Sequence, residues 1–269
     1  AVTPGNTFID TEFGGFVQGK VLVMDNKISL LAGVRYDNNE IYGKIFSPRI
    51  GATYKVNNYL NLKTSYGTGF QSPAPRNLYG SWGGLEVNED LEPDRIQSID
   101  LNVSTHFNNF GGIVTFFGNK ITNSILQGEN LPTKKIFGLE CKLNYILVRT
   151  SEYFSNSRIH LNYSFVKARY TKERTNATTG RSSEKIGDIA PHKLNLIVCT
   201  DIFEHLHFNI RMNYVAERPT VISNPVKMVD AFFITHLNFQ LINLFNDKLR
   251  IFFNINNLFD VEYYHPGMD

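Results

Sequence analysis

The sequence has one tryptophan, four methionines and two cysteines in 269 residues, and no apolar run approaching 18 residues. A membrane-crossing helix needs such a run, so no transmembrane helix is expected in this chain. Two cysteines build no disulfide framework. Cys141 shares strand parity with Leu139, Leu143 and Tyr145, whereas Cys199 shares it with Lys193, Asn195 and Asp201. Opposite faces of non-adjacent strands do not meet disulfide geometry, so both thiols are expected to be free. Charge of one sign is also scarce: 27 Lys and Arg stand against 25 Asp and Glu, a net +2. No basic block or stripe is present, which argues against a nucleic-acid partner. The start, Ala1-Val2-Thr3-Pro4-Gly5, has neither a basic region nor an apolar core, and any signal peptide is expected to be already absent.

Chemistry-bearing constellations are missing too. No serine with its base and no spaced acid pair argues for catalysis, so an enzyme is not expected. His205-Leu206-His207 puts two imidazoles on one strand face at a tight turn. Without further ligands it falls short of a four-coordinate site, and no metal or cofactor is expected. Gly67-Thr68-Gly69 is followed by no helix and makes no phosphate-cradling loop.

What the chain has is alternation. Phe and Tyr are abundant, at 21 and 13, and strand-like segments of about 8–14 residues follow one another without helical periodicity. Ile28, Leu30, Ala32, Val34 and Tyr36 share one face; Leu60, Leu62 and Tyr66 oppose Asn61, Lys63 and Ser65. Ile159, Leu161, Tyr163 and Phe165 oppose His160, Asn162 and Ser164, and Leu206, Phe208, Ile210, Met212 and Tyr214 oppose His207, Asn209, Arg211 and Asn213. Connections also alternate. Met24–Asn26, Asn57–Asn58, Asn108–Asn109, Glu204–His205 and Asn246–Asp247 are tight. Asn38–Ser47, the stretch from Phe70 to Pro93, Gln127–Lys134, Thr171–Ala190 and Ala216–Asp230 are longer, and Arg149–Ser157, of middling length, is an exception. In an up-and-down meander, alternate turns lie at opposite ends, and short turns at one end with long loops at the other are the habit of outer-membrane barrels.

A soluble β-sandwich also alternates, but its strands are usually shorter. Here Tyr36, Tyr54, Tyr66, Tyr145, Tyr163 and Tyr214 recur at what reads as one end of the apolar face, as in an interfacial girdle. A mean hydropathy of −0.22 does not oppose a barrel, because only one strand face meets lipid. The expected fold is an all-β antiparallel up-and-down transmembrane barrel, with about twelve strands in this chain. Ile28, Leu62, Leu101, Leu161, Phe208 and Ile251 are expected to form one outward band against outer-membrane lipid. Arg35, Arg49, Lys63, Arg211 and Arg250 fall on the other parity and are expected to face the lumen. There they either attract an anionic chelate or, more simply, pair with carboxylates such as Asp37, Asp100 and Glu140.

Four segments carry a resemblance. They are Ser47-Pro-Arg-Ile-Gly-Ala-Thr-Tyr-Lys-Val56; Tyr66-Gly-Thr-Gly-Phe-Gln-Ser-Pro73; Asn88-Glu-Asp-Leu-Glu-Pro-Asp-Arg95; and Asn256-Asn-Leu-Phe-Asp-Val-Glu-Tyr-Tyr264. In this order and spacing the chain resembles the C-terminal part of the barrel of TonB-dependent outer-membrane transporters, with Asp94 where Glu is usual. The resemblance implies a barrel of about 22 strands filled by a plug. It implies uptake of scarce ligands such as ferric siderophores, haem, cobalamin or glycans, energised through TonB. It implies a place in the outer membrane of a Gram-negative bacterium. Residues 1–269 are expected to hold barrel strands only: plug, earlier strands and TonB-contacting box are absent, and the chain stops before the expected last strand. Twelve strands cut from a larger sheet would leave two open edges.

The long stretch from Phe70 to Pro93 carries Gln71, Arg76, Tyr79 and Trp82 among Gly and Pro. These, with Arg181 and Arg218 of the later loops, are the candidate ligand contacts, since rigid scaffolds present function on loops. An Arg pairs with anionic oxygens and a Tyr or Trp stacks on an aromatic ligand. The plain alternative is an ordered loop shaped by Pro and Gly. The resemblance also implies that haem-carrying members have a His between the second and third segments; Gln71–Glu92 has none, leaving His192 or His265 for that role. The expected ligand is therefore a ferric siderophore-like chelate. The alternatives are a passive pore or surface-binding barrel without a plug, and a soluble all-β binding module.

Overall fold

The computed structural model describes residues 10–79, 88–147, 153–203, 205–245 and 248–265. Among the described residues, twelve antiparallel strands form one continuous sheet in chain order. They begin with β1 (Glu12–Val23), β2 (Ile28–Asn39), β3 (Gly43–Lys55) and β4 (Leu60–Gln71). A short helix, α1 (Pro75–Tyr79), precedes β5 (Asp94–Phe107) and β6 (Phe110–Thr122). A small hairpin, β7 (Ile125–Leu126) and β8 (Glu129–Asn130), leads to β9 (Lys134–Leu147), β10 (Phe154–Thr175) and β11 (Ser182–Lys185). The chain continues through β12 (His192–Ile202), β13 (Leu206–Val215) and a second hairpin, β14 (Arg218–Pro219) with β15 (Met228–Val229). It ends in β16 (Phe232–Leu244) and β17 (Leu249–Ile255). β11 joins the sheet by pairing with β10, and among the described residues β1 and β17 each pair on one side only.

Register makes the two faces explicit. One row of directly opposed residues runs Ile28, Tyr54, Leu62, Val103, Val114, Cys141, Tyr163, Leu194, Tyr214, Phe233. The neighbouring row runs Ser29, Thr53, Lys63, Asn102, Thr115, Glu140, Ser164, Lys193, Val215, Phe232. Because side chains alternate along a strand, the first row marks an apolar face and the second a polar one. The apolar row starts beside a tight turn at Ile28 and ends beside a long loop at Phe233, so it climbs from one end of the sheet to the other. That stagger is what tilted barrel strands require. Ile28, Leu62, Leu101, Leu161, Phe208 and Ile251 share the apolar face by register. Much of that face is open: Ile50, Ile99, Leu101, Phe116, Phe137, Ile251 and Phe253 are all exposed. Such a contiguous apolar surface needs a non-aqueous neighbour.

The tight ends are set by local backbone chemistry. Met24, Asp25 and Asn26 all take positive φ, at 54°, 51° and 64°. Lys27 N closes that turn on Met24 O at 3.0 Å. Asn57 Oδ1 accepts from Tyr59 N and Leu60 N at 2.8 and 2.9 Å, so a side chain supplies the turn's acceptor. Cys141 lies in the apolar row and Cys199 opposite Asn209 on the polar face; both thiols are free.

Three expectations need correction. Asn38–Ser47 is not a long connection: β2 and β3 pair out to Asn39 and Gly43, leaving three residues between them. Asn39 is the reason, since its Oδ1 accepts from Ile41 N at 2.8 Å while its Nδ2 donates to Asp10 at 2.7 Å, so two polar residues continue a strand. Thr171–Ala190 is not a plain loop, because β10 runs on to Thr175 and β11 folds back on it. The tyrosines do not gather at one end: Tyr54 and Tyr145 lie near tight turns, whereas Tyr36 and Tyr214 lie near the opposite end.

Candidate ligand-facing loop cluster

The longer connections, β4–β5, β6–β9, β10–β12 and β13–β16, emerge from the same end of the sheet and interlock in two groups. In the first, the segment after β4 meets the β7–β8 hairpin. Asn88 Oδ1 accepts from Asp90 N at 3.0 Å while its Nδ2 donates to Gly128 O at 2.9 Å. Glu92 N donates to Asn130 Oδ1, and Asn130 Nδ2 returns to Glu92 O, each at 2.9 Å. Asn123 Nδ2 donates to the Glu92 carboxylate at 2.5 Å. Leu78 on α1 and Leu91 within the Asn88–Pro93 motif are both buried. The Asn88–Pro93 motif is therefore a staple between two loops, with its amides committed to backbone and its leucine to a small core.

Gln71 ends β4 opposite Asp94. Arg76 is exposed on α1, and Tyr79 is half-buried at its end. Trp82 lies outside the described residues. Arg76 is thus an exposed cation on a short helix that is tied to the Asn88 segment by Asn88 N donating to Asn77 O at 3.2 Å.

The second group joins the β10–β11 hairpin to the β14–β15 hairpin. Arg181 Nη1 is surrounded by Thr220 Oγ1 at 3.1 Å, Val221 O at 3.1 Å, Val226 O at 3.2 Å and Asn224 O. Thr179 Oγ1 donates to Ile222 O and Asp188 N to Pro219 O, both at 2.7 Å. Arg181 is taken up in holding these loops together. Arg218 is 4% exposed; its Nη2 donates to Tyr264 O at 3.1 Å, and its guanidinium carbon stands 5.8 Å from the Phe232 ring centroid. Phe232 packs on Tyr263 at 4.8 Å and on His265 at 6.2 Å. The Nη1 of Arg218 is buried without a hydrogen-bond partner among the described residues. Sequence reasoning missed this aromatic floor, because Phe232 and Tyr263 come together only through the fold-back after β17. The signal for that fold-back was the Asn256–Asp260 motif. Asn257 takes φ 52°, brackets Val261 with two side-chain bonds of 3.0 Å, and Leu258 N ties back to Thr235 O at 2.8 Å.

The close approach of the two hairpins is testable at Gly187. A Cβ there would lie 2.5 Å from Val221 N and 2.7 Å from Thr220 C, both backbone atoms. Gly187→Ala should push the hairpins apart at a cost of about 1–3 kcal/mol. Limited proteolysis should then cut Thr220–Lys227 faster than in the parent protein, while Gly19→Ala on β1, whose Cβ meets no atom within 4 Å, should leave that cleavage rate unaltered.

A third polar knot sits where β1, β2 and β3 leave the sheet. Asp37 is fully buried and accepts from Arg35 at 2.6 Å. In the adjoining turn, burial and then the charge of Glu12 push the Tyr42 hydroxyl up to about 12, so it stays protonated at any physiological pH. Arg35, Arg49, Lys63, Arg211 and Arg250 all lie on the polar face by register parity. Among the described residues only Arg35 of these has an ion-pair partner.

Comparison with known proteins follows the same lines. The family model described as TonB dependent receptor-like, beta-barrel matches residues 2–258. A vitamin B12 transporter, BtuB, of Vibrio cholerae is 25% identical over 236 residues, which are 87% of this chain and 36% of the relative. An iron-regulated outer membrane virulence protein of Vibrio cholerae is 26% identical over 127 residues, 44% of this chain and 19% of that protein. In structure, the ferric-catecholate import receptor Fiu of Escherichia coli K12 superposes with a TM-score of 0.73 at 14% identity, over 94% of this chain and 41% of Fiu. The chain therefore spans well under half the length of the relatives it matches. With twelve staggered strands, an apolar and a polar face, and a family match covering nearly its whole length, the chain belongs to the TonB dependent receptor-like β-barrel family of the Gram-negative outer membrane.

Proposed function

We propose that residues 1–269 form a C-terminal portion of the barrel wall of a TonB-dependent outer-membrane transporter that takes up a scarce ligand from outside the cell. The observation that carries this reading is the family match over residues 2–258. The tilted sheet with its open apolar face supports it physically. On this reading the apolar face meets lipid and the polar face, with Arg49, Lys63, Arg211 and Arg250, lines the lumen. The interlocked loops stand outside, and TonB contacts parts of the protein beyond this chain.

The ligand is a ferric siderophore-like chelate. Arg76, exposed on a stapled segment beside Tyr79, offers one charge and one ring, which suits an organic chelate with anionic oxygens. The iron-regulated relative is consistent with this chemistry. Vitamin B12 is the second reading, favoured by a B12 transporter matching 87% of the chain.

Uptake by cells producing the full-length protein separates the two. Radiolabelled iron as a catecholate chelate should accumulate only when TonB is present, and labelled cyanocobalamin should not; the reverse would select the B12 reading. Uptake that persists without TonB would favour a passive pore. Replacing Arg76, Tyr79 and Trp82 together by Ala should weaken surface binding of the chelate by at least about tenfold, as loss of central contacts does, with normal amounts of barrel at the surface. Unchanged binding would remove this loop from the site.

A further inference from the structure

A row of basic residues crosses the apolar face where the strands approach the long loops. Lys120 on β6 stands directly opposite Lys135 on β9; Lys135 stands opposite Arg169 on β10; and Arg169 stands opposite Lys185 on β11. Four cations thus occupy consecutive register positions, where like charges destabilise the pairing of strands. Arg95, opposite Thr122, adds a fifth cation one step nearer the loops. Lys167 adds a sixth one step farther from them, with its Nζ 5.6 Å from the Phe137 ring centroid. All six are exposed, and none makes an ion pair among the described residues. On β4, β5, β6 and β9 the rows on either side of the belt place no carboxylate on this face: Ile99, Gly118 and Phe137 follow on one side, Phe70 and Thr122 on the other. On β10 the next carboxylate of this parity is Glu173, four residues beyond Arg169.

We propose that this belt binds the phosphate-bearing headgroups of the surrounding outer-leaflet lipid. The proposal rests on the reading of the apolar face as the lipid face. The exposed Phe137 and Ile99 lie in the row immediately below the belt and Phe116 one row farther, so an acyl chain packed on them carries its headgroup to the cations. Lysine stems lie along apolar surface while their ammonium groups reach a polar layer. Phosphate oxygens between opposed cations replace repulsion with charge-assisted hydrogen bonds. Three strand spacings separate Lys120 from Lys185, about 14 Å, a span suited to a lipid with two phosphates. A loose anionic ligand of the lumen would not meet the belt, which is on the opposite face from Arg49 and Lys63.

The test uses the full-length protein in detergent, titrated with bis-phosphorylated lipid A and followed by native mass spectrometry. Combining K120Q, K135Q, R169Q and K185Q should weaken lipid A binding by at least about tenfold, since each cation near an anionic headgroup contributes several-fold. Binding of phosphatidylethanolamine should not change, and R49Q with K63Q on the other face should bind lipid A as the parent does. Excess inorganic phosphate should not displace the lipid; displacement would mean a site for free anions and would overturn the proposal. Unchanged lipid A affinity in the quadruple variant of a detergent-requiring protein would overturn it while leaving the transporter reading intact. A protein that stays soluble without detergent would overturn both.

Discussion

Leu161→Arg is expected to destabilise the membrane-embedded protein by about 2–4 kcal/mol, and Asn162→Arg, one residue away, to be nearly neutral. Leu161 stands between Leu143 and Leu196 on the apolar face, midway along β10's pairing with β12. An arginine there would either sit in hydrocarbon or drag water and headgroups toward it. Asn162 stands between Lys142 and Asn195 on the polar face, where another cation changes little. Refolding equilibria in detergent or lipid vesicles measure both. Equal costs would mean that the two faces have the same surroundings.

Gly138→Ala is expected to cost about 1–3 kcal/mol or more through overpacking, in a place that cannot relax. Gly138 on β9 pairs with Phe117 on one side and Val166 on the other. A Cβ added there would lie 2.2 Å from Phe165 O and 2.6 Å from the Phe117 ring. The ring can turn, but the carbonyl belongs to the β10 ladder, and moving it breaks pairing on both sides of the strand. Gly15→Ala and Gly19→Ala on β1 meet no atom within 4 Å and should be tolerated. Heat-modifiability on gels reports assembly for all three. Wild-type assembly of Gly138→Ala would show that β9 and β10 can separate locally at no cost.

Much of this fold can be read from the sequence because period-two alternation is a local property. Leu60-Asn-Leu-Lys-Thr-Ser-Tyr66 states its two faces without reference to any neighbour, and the register places every such strand in step. The tight turns are equally local, since Asn57 and Asn26 carry their own backbone solutions. Legibility fails where polar residues do a strand's work. Asn38 and Asn39 resemble a loop, yet they close a ladder because Asp10, 29 residues away, satisfies Asn39. Apolar residues on the polar face, such as Phe117 and Phe252, are also not marked as such by composition, because their partners are a glycine and an amide on other strands.

The candidate site was legible only by residue type. Arg76, Arg181 and Arg218 look alike as sequence: each is a cation in a loop rich in turn-formers. Their fates differ because of contacts made across about 40 residues of chain, as Arg181 makes with Val221 and Asn224 and Arg218 makes with Tyr264. Arg76 alone among them is exposed. The Asn88 and Asn257 motifs carried the family resemblance, and both serve to fold loops rather than to present a reactive group.

The central claim is that one face of this sheet meets lipid and the other an aqueous lumen. A cysteine scan along Ile159–Val166 of β10, in full-length protein with Cys141 and Cys199 replaced by Ser, tests it most directly. Each position would be labelled with a spin probe in vesicles, and its exposure to molecular oxygen compared with its exposure to a water-soluble nickel chelate. The account predicts strict period two: Ile159, Leu161, Tyr163 and Phe165 accessible to oxygen, and His160, Asn162, Ser164 and Val166 to the chelate. Uniform access of the chelate to all eight positions would contradict it.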